Sequence, residues 1–167
     1  MKLSKLFLVV SIIVVLLLFI NNNLQEPEPP KEFVTNKTIE TYSNMFFSYE
    51  IIRYPSSVEI VNPNENVTLG FVVDPWNLNF GIVPGNGSYV KRSIDIANLE
   101  NKNKKVFFKV YGNIMPLIEF SKDDFILKPN EKISIDVFLF TKDIINGNYS
   151  GEVDVIAQAS NDFFQTK

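Results

Sequence analysis

Ile133, Ile135, Val137 and Leu139 alternate with Ser134, Asp136, Phe138 and Phe140. An apolar side chain at every second position marks a strand with one face on a core, because successive strand side chains point to opposite sides. The same period of two recurs along the chain. Phe47, Tyr49 and Ile51 share one face, as do Val67, Leu69, Phe71 and Val73, then Ile94 and Ile96, then Val106, Phe108 and Val110, and last Tyr149, Gly151, Val153 and Val155. Turn formers separate these runs: Pro63-Asn64, Asp74-Pro75, Pro84-Gly85-Asn86-Gly87, the stretch Asn98–Lys105, Pro129-Asn130 and Asn146-Gly147-Asn148. Short strands punctuated about every 8–12 residues predict an all-β fold, a sandwich or barrel. No segment past residue 24 carries a helical stripe.

The N-terminus is different. Lys2 and Lys5 precede an apolar run, Leu6 to Ile20, interrupted only by Ser11 and ended by Asn21-Asn22-Asn23. As a helix the run is about 22 Å long, against a hydrocarbon core of about 30 Å. It spans only if Leu3 is counted and Lys5 snorkels. A cleaved signal peptide has a similar start, but small residues precede its cut. Here Leu18-Phe19-Ile20 precede the asparagines, which favours an uncleaved signal anchor; a cleaved signal and a buried core helix stay open. With no cysteine, lipid attachment through a cysteine is excluded. The lysines before the run and the acidic residues after it (Glu26, Glu28) orient the N-terminus to the cytoplasm and the body outside. The expected location is therefore the cell membrane, single-pass, with an extracytoplasmic β domain.

The chain holds 16 basic and 19 acidic residues, no His and no Cys. Lys2 and Lys5 belong to the leading segment, so the body is the more acidic part. That argues against nucleic acid, which needs clustered Lys and Arg. Without His or Cys the commonest general base and transition-metal ligands are missing. A disulfide framework is excluded too, so the core must stabilise the domain. Fifteen Phe and six Tyr make that core strongly aromatic.

Glu26-Pro27-Glu28-Pro29-Pro30 reads as an extended spacer. The expected division is a membrane segment at 1–24, a Pro-rich tether at 25–44, a β domain at 45–160 with its core module at 74–158, and a tail at 161–167. Within the module, Leu78-Asn-Phe-Gly-Ile-Val-Pro84 is followed by Arg92-Ser-Ile-Asp-Ile-Ala-Asn98, then Phe125-Ile-Leu-Lys-Pro129-Asn-Glu131, then Gly147-Asn-Tyr-Ser-Gly-Glu-Val153. This order resembles the immunoglobulin-like domains of the ASPM–SPD-2–Hydin and major-sperm-protein type, and similar modules on archaeal and bacterial surfaces. The likeness runs from Asp74 to Asp154 of the 167-residue chain. It implies an immunoglobulin-like antiparallel β-sandwich and a non-catalytic role in protein contact or surface display. Residues 45–73 precede the usual module and are expected to add an edge strand or hairpin. Gly81 and Gly151 read as bulge or close-approach positions. The Tyr149 ring should bury with its hydroxyl on a backbone partner.

Few constellations carry chemistry. Gly85-Asn-Gly87-Ser lacks the Lys-Ser/Thr of a phosphate loop and reads as a hairpin turn. Asp74-Pro-Trp-Asn77-Leu-Asn79 supplies oxygen side chains without the spacing of a calcium loop. No motif pairs a nucleophile with a base. The expectation is no enzyme, no cofactor, no metal and no small-molecule substrate. Asn36, Asn66, Asn86 and Asn148 each begin an Asn-x-Ser/Thr triplet, either glycosylation acceptors outside the cytoplasm or chance in an Asn-rich chain. Trp76 either anchors a partner or plugs one end of the fold. Phe107, Tyr111, Phe138 and Phe140 face away from Phe108 and Val137; if their strands adjoin they form one aromatic interface, unless another segment covers them. Lys102, Lys104 and Lys105 read as a solvated hairpin tip, or a contact for an acidic envelope polymer. The function expected from all this is membrane-anchored display of a domain that binds an envelope protein or glycan. A stator or accessory subunit of an archaellum- or pilus-type machine, and a secretion chaperone, are the alternatives.

Overall fold

The computed structural model describes residue 7 and residues 9–18, 26–62, 76–141 and 144–161. Residues 9–18 are helical, with apolar side chains from Val9 to Leu18 exposed. No helix among the described residues is long and apolar enough to cross a membrane. Both ends of the expected 1–24 segment lie outside the described residues.

The rest is β structure in two sheets. Strands β1 (Thr38–Ser43), β2 (Phe47–Val61), β3 (Leu78–Pro84), β5 (Lys104–Gly112), β7 (Phe125–Leu127) and β9 (Gly147–Ser160) form one; β4 (Tyr89–Ala97), β6 (Ile118–Phe120) and β8 (Lys132–Phe140) form the other. The order is β1-β2-β9-β5-β7, with β3 also on β2, in the larger sheet, and β4-β8-β6 in the smaller. All pairings are antiparallel except β2 with β3, which is parallel. This corrects the wholly antiparallel expectation.

Alternation decides which side chains meet. Val58 and Ile60 of β2, Phe80 and Val83 of β3, Ile94 and Ile96 of β4, Val106 and Phe108 of β5, Ile135, Val137 and Leu139 of β8 and Val153 and Val155 of β9 are buried in one core. The sheets thus pool their inner faces, as two half-apolar surfaces must to leave water. Tyr149 follows its expectation: its ring packs against this core and its hydroxyl donates to the Ile145 carbonyl at 2.7 Å.

Both marked glycines have a steric cause. β3 carries an extra residue against β2 between Ser57 and Glu59. There Gly81 takes a φ of 73° and donates its N–H to Asn79 Oδ1 at 2.8 Å, a bulge that a side chain would strain. At Gly151 a Cβ would sit 1.9 Å from the Tyr111 carbonyl oxygen.

Three expectations change. Residues 38–43, inside the expected tether, form β1, and residues 26–34 contact the domain, as described below. Of the edge strand or hairpin expected before the module, β2 is no edge but part of a hairpin with β1: it pairs with β9 from Phe47↔Ser160 to Ile60↔Gly147, while β1 and β3 share its other side. Pro55 falls between the last β1 pairing, at Arg53, and the first β3 pairing, at Ser56, so a missing donor on that side leaves no ladder bond unmade. The Val67–Val73 strand lies outside the described residues. Finally, the turns after β3 are not hairpins. From β3 to β9 the chain changes sheet at every connection, including Gly85–Ser88 and Asn98–Asn103.

Candidate functional site

The outer face of the smaller sheet is the best-formed open surface. On β8, Ser134, Asp136, Phe138 and Phe140 point away from the core. Antiparallel register sets Tyr89 opposite Phe140, Lys91 opposite Phe138, Ser93 opposite Asp136 and Asp95 opposite Ser134; on β6, Glu119 lies opposite Phe138. Tyr89 is 64 % exposed and Phe140 37 %. The Phe140 ring lies 6.0 Å from Tyr89 and 6.1 Å from Phe138, the spacing at which aromatic pairs attract. One end of the face is therefore aromatic.

The other end is charged. Ser93 Oγ donates to Asp136 Oδ1 at 2.7 Å and Lys91 Nζ reaches Asp136 Oδ2 at 3.0 Å. These two contacts, the serine first, hold the Asp136 carboxyl below its usual range. Lys132 lies 2.9 Å from Asp95 and, with Ser134, lowers that carboxyl as well. An aromatic cluster bordered by both signs of charge suits a partner with an apolar body and polar edges.

The predicted aromatic four do not meet. Phe138 and Phe140 are on the smaller sheet, whereas Phe107 and Tyr111 are on β5 of the larger one. Phe107 packs with Tyr49, Ile51, Phe47 and Ile156 in a second, outer cluster. Lys105 and Lys109 lie 5.8 and 5.9 Å from its ring centre. Tyr89 was absent from the sequence reading, although the alternation Tyr89, Lys91, Ser93, Asp95 extends the Ile94 strand backwards and would have found it.

The outer face of the larger sheet holds charge instead of an open patch. Glu152 and Asp154, which alternate with the core residues Val153 and Val155 on β9, are buried. Arg53 Nε donates to Glu152 Oε1 at 2.7 Å, and its Nη1 to Glu40 Oε1 at 2.8 Å. The N-terminal segment closes over this pair. Val34 N–H donates to Glu152 Oε2 at 2.8 Å, Arg53 Nη2 donates to the Glu32 carbonyl at 2.9 Å, and Lys109 pairs with Glu26 at 2.6 Å. Burial, then the hydrogen bond and charge of Glu152, push the Asp154 carboxyl up to about 8. Burial likewise raises the Tyr111 hydroxyl, with the charges of Asp154 and Glu152 adding to it. No sequence signal marks this cluster, because alternation assigns those positions to water.

The remaining candidates are scattered. Trp76 is 61 % exposed, so it does not plug the core, and Lys37 Nζ stands 6.0 Å from its ring centre. Asn36, Asn86 and Asn148 are exposed, with Asn86 at the tip of the β3–β4 turn; Asn66 lies outside the described residues. The basic tip is internally neutralised. Lys104 is buried between Glu50 and Glu100, at 2.8 and 2.9 Å, and Lys105 pairs with Asp124 at 3.0 Å. Asn79, the last oxygen donor of the calcium reading, is committed to the Gly81 bulge, and Asp74 lies outside the described residues. Among the described residues no three His, Cys, Asp or Glu side chains gather as metal ligands. No protein family, curated protein or solved structure matches this chain.

Proposed function

We propose that this chain is a non-catalytic envelope protein, anchored by its N-terminus, which displays an immunoglobulin-like β-sandwich outside the cell to bind an envelope protein or glycan. The cluster of exposed Tyr89 and Phe140 with the half-buried Phe138 is the observation that carries the binding role, since monomeric surfaces rarely leave adjoining aromatics in water without a use. Anchoring draws on the Leu6–Ile20 run and on the exposed apolar side chains of residues 9–18.

Topology supports the immunoglobulin-like part. In that fold one sheet carries strands B-E-D in order and the other C-F-G. The orders β4-β8-β6 and β5-β9-β2 fit these, with β2 arriving from the N-terminal side into the last-strand place. The hydroxyl of Tyr149, at the start of β9, returns to the backbone four residues upstream, as the tyrosine of the E–F corner does. The test is capture of envelope material by the full chain in detergent. Binding to isolated surface protein or glycan should fall at least about tenfold in the Tyr89→Ser, Phe140→Ser double variant, the loss expected from removing hot-spot aromatics. Undiminished binding would remove this face from the account.

A further inference from the structure

Asp154 is a carboxyl without a donor. It lies on the outer face of β9, yet only 5 % of it is exposed. No donor among the described residues reaches its Oδ1. Its hydrogen-bond neighbour is the Glu152 carboxylate, itself an acceptor, which takes Arg53 Nε at 2.7 Å, Arg53 Nη2 at 3.1 Å and the Val34 N–H at 2.8 Å. Two carboxyls share a hydrogen bond only while one of them keeps a proton.

The N-terminal segment keeps water from this pair. Register sets Arg53 of β2 on one side of Asp154 and Lys109 of β5 on the other. The segment is fastened at both. Glu26 pairs with Lys109 at 2.6 Å, and the Glu32 carbonyl accepts from Arg53 Nη2 at 2.9 Å. The third fastening, Val34 N–H to Glu152, lies two residues along β9. A segment tied to β5, β2 and β9 around Asp154 passes over it. The charged and titratable groups that the surrounding elements bring to the carboxyl are Glu152 on its own strand, Arg53 on β2, Glu40 on β1, Lys109 and Tyr111 on β5, and Glu26 and Glu32 on the segment. Both cations beside Asp154 are engaged elsewhere, Arg53 with Glu152 and Glu40, and Lys109 with Glu26.

We propose that residues 26–34 form a proton-dependent latch over this part of the larger sheet, closed while Asp154 and Glu152 share a proton and released when that proton leaves. Linkage gives the sign. The closed state holds the Asp154 proton up to about pH 8, chiefly through burial. Opening lets water onto the carboxyl and removes that cause, so the open state gives up its proton at lower pH. The opening constant therefore rises with pH until the closed state loses its own proton, and levels off above about pH 8. Ionised Asp154 also competes with Glu26 for Lys109, its register partner on β5. Opening frees residues 26–34 and uncovers Arg53, Glu152 and Asp154, so proton concentration sets the length of free chain ahead of the β domain. The latch works the same way whatever the domain binds.

Lys31 sits between the fastenings, and a protease cuts there only when the chain around it leaves the surface. Trypsin would be added to the full chain in detergent at a series of pH values on both sides of pH 8. The Asp154→Asn chain, distinguished by a mass tag, and a peptide of residues 26–37 would share the tube, so that the enzyme's own pH dependence cancels. Asparagine keeps a neutral donor for Glu152. In the parent chain, cleavage after Lys31 relative to the peptide should rise by up to about tenfold per pH unit, then flatten above about pH 8, while the β strands stay uncut. In Asp154→Asn the ratio should stay flat. A flat ratio in the parent chain would overturn the latch, as would an equal rise in the variant. If the variant does not fold, the peptide reference still separates a rise from a flat ratio. Cuts spreading through the β strands in step with Lys31 would overturn it too, because they report unfolding of the whole domain.

Discussion

Gly151 lies where two strands leave no room for a side chain. Adding a Cβ within 1.9 Å of the Tyr111 carbonyl oxygen forces β5 and β9 apart, so Gly151→Ala should cost about 1–3 kcal/mol or more in urea unfolding. A loss under about 0.5 kcal/mol would mean the strands part freely. Asp154 makes a prediction about pH. The folded protein holds its proton up to about pH 8, whereas an unfolded aspartate releases it near pH 4, so the folded state binds more protons between those values. Stability therefore falls as pH rises through that window and changes no further above it. Asp95, Asp136 and Glu100 are held below their usual range, so their contributions are lost only at lower pH. Asp154→Asn keeps the neutral shape and should flatten the fall between pH 5 and pH 8; an unchanged slope would place the proton elsewhere. The bulge glycine, the close-approach glycine and the tyrosine hydroxyl were legible because each has a residue type that few others replace. Glu152 and Asp154 were not, since period two says which face a residue takes but not what lies over that face.

Single polar side chains also tie whole elements together. Asn98 is fully buried at the end of β4. Its Nδ2 donates to the carbonyls of Lys102, Leu127 and Lys128, its Oδ1 accepts the Glu100 N–H, and its own N–H donates to the Glu131 carbonyl. Glu131 Oε2 in turn accepts the Lys128 N–H, and Asn130 holds the turn at a φ of 58°. This explains why asparagine ends one strand and Leu-Lys-Pro-Asn-Glu opens another: the two pieces are one joint between β4, β7 and β8. Asn98→Ala removes the donor to the buried Leu127 carbonyl and to the half-buried Lys102 and Lys128 carbonyls, and should cost about 1–3 kcal/mol, read as a shift in denaturation midpoint with unchanged slope. Most strands after residue 78 were legible from alternation. Their partners were not, because Pro84-Gly85-Asn86-Gly87 punctuates a hairpin and a crossing between sheets alike. The long β2 is hard to read for a further reason: its two halves bury opposite faces, Tyr49 and Ile51 outward with Phe47, Phe107 and Ile156, and Tyr54, Val58 and Ile60 inward.

For the whole molecule, residues 26–34 lie over the Arg53–Glu152 part of the larger sheet, while the outer face of the smaller sheet presents Tyr89 and Phe140. The four aromatics share one surface only if β5 and β8 adjoin, and alternation does not say which sheet a strand joins; the structure puts the two strands in different sheets. Everything proposed for the presented side rests on export beyond the membrane. Protease added to intact cells tests that most directly. The account predicts that the β domain is cut or shaved from intact cells while a cytoplasmic marker survives. A domain left whole on intact cells and degraded only after lysis would contradict it.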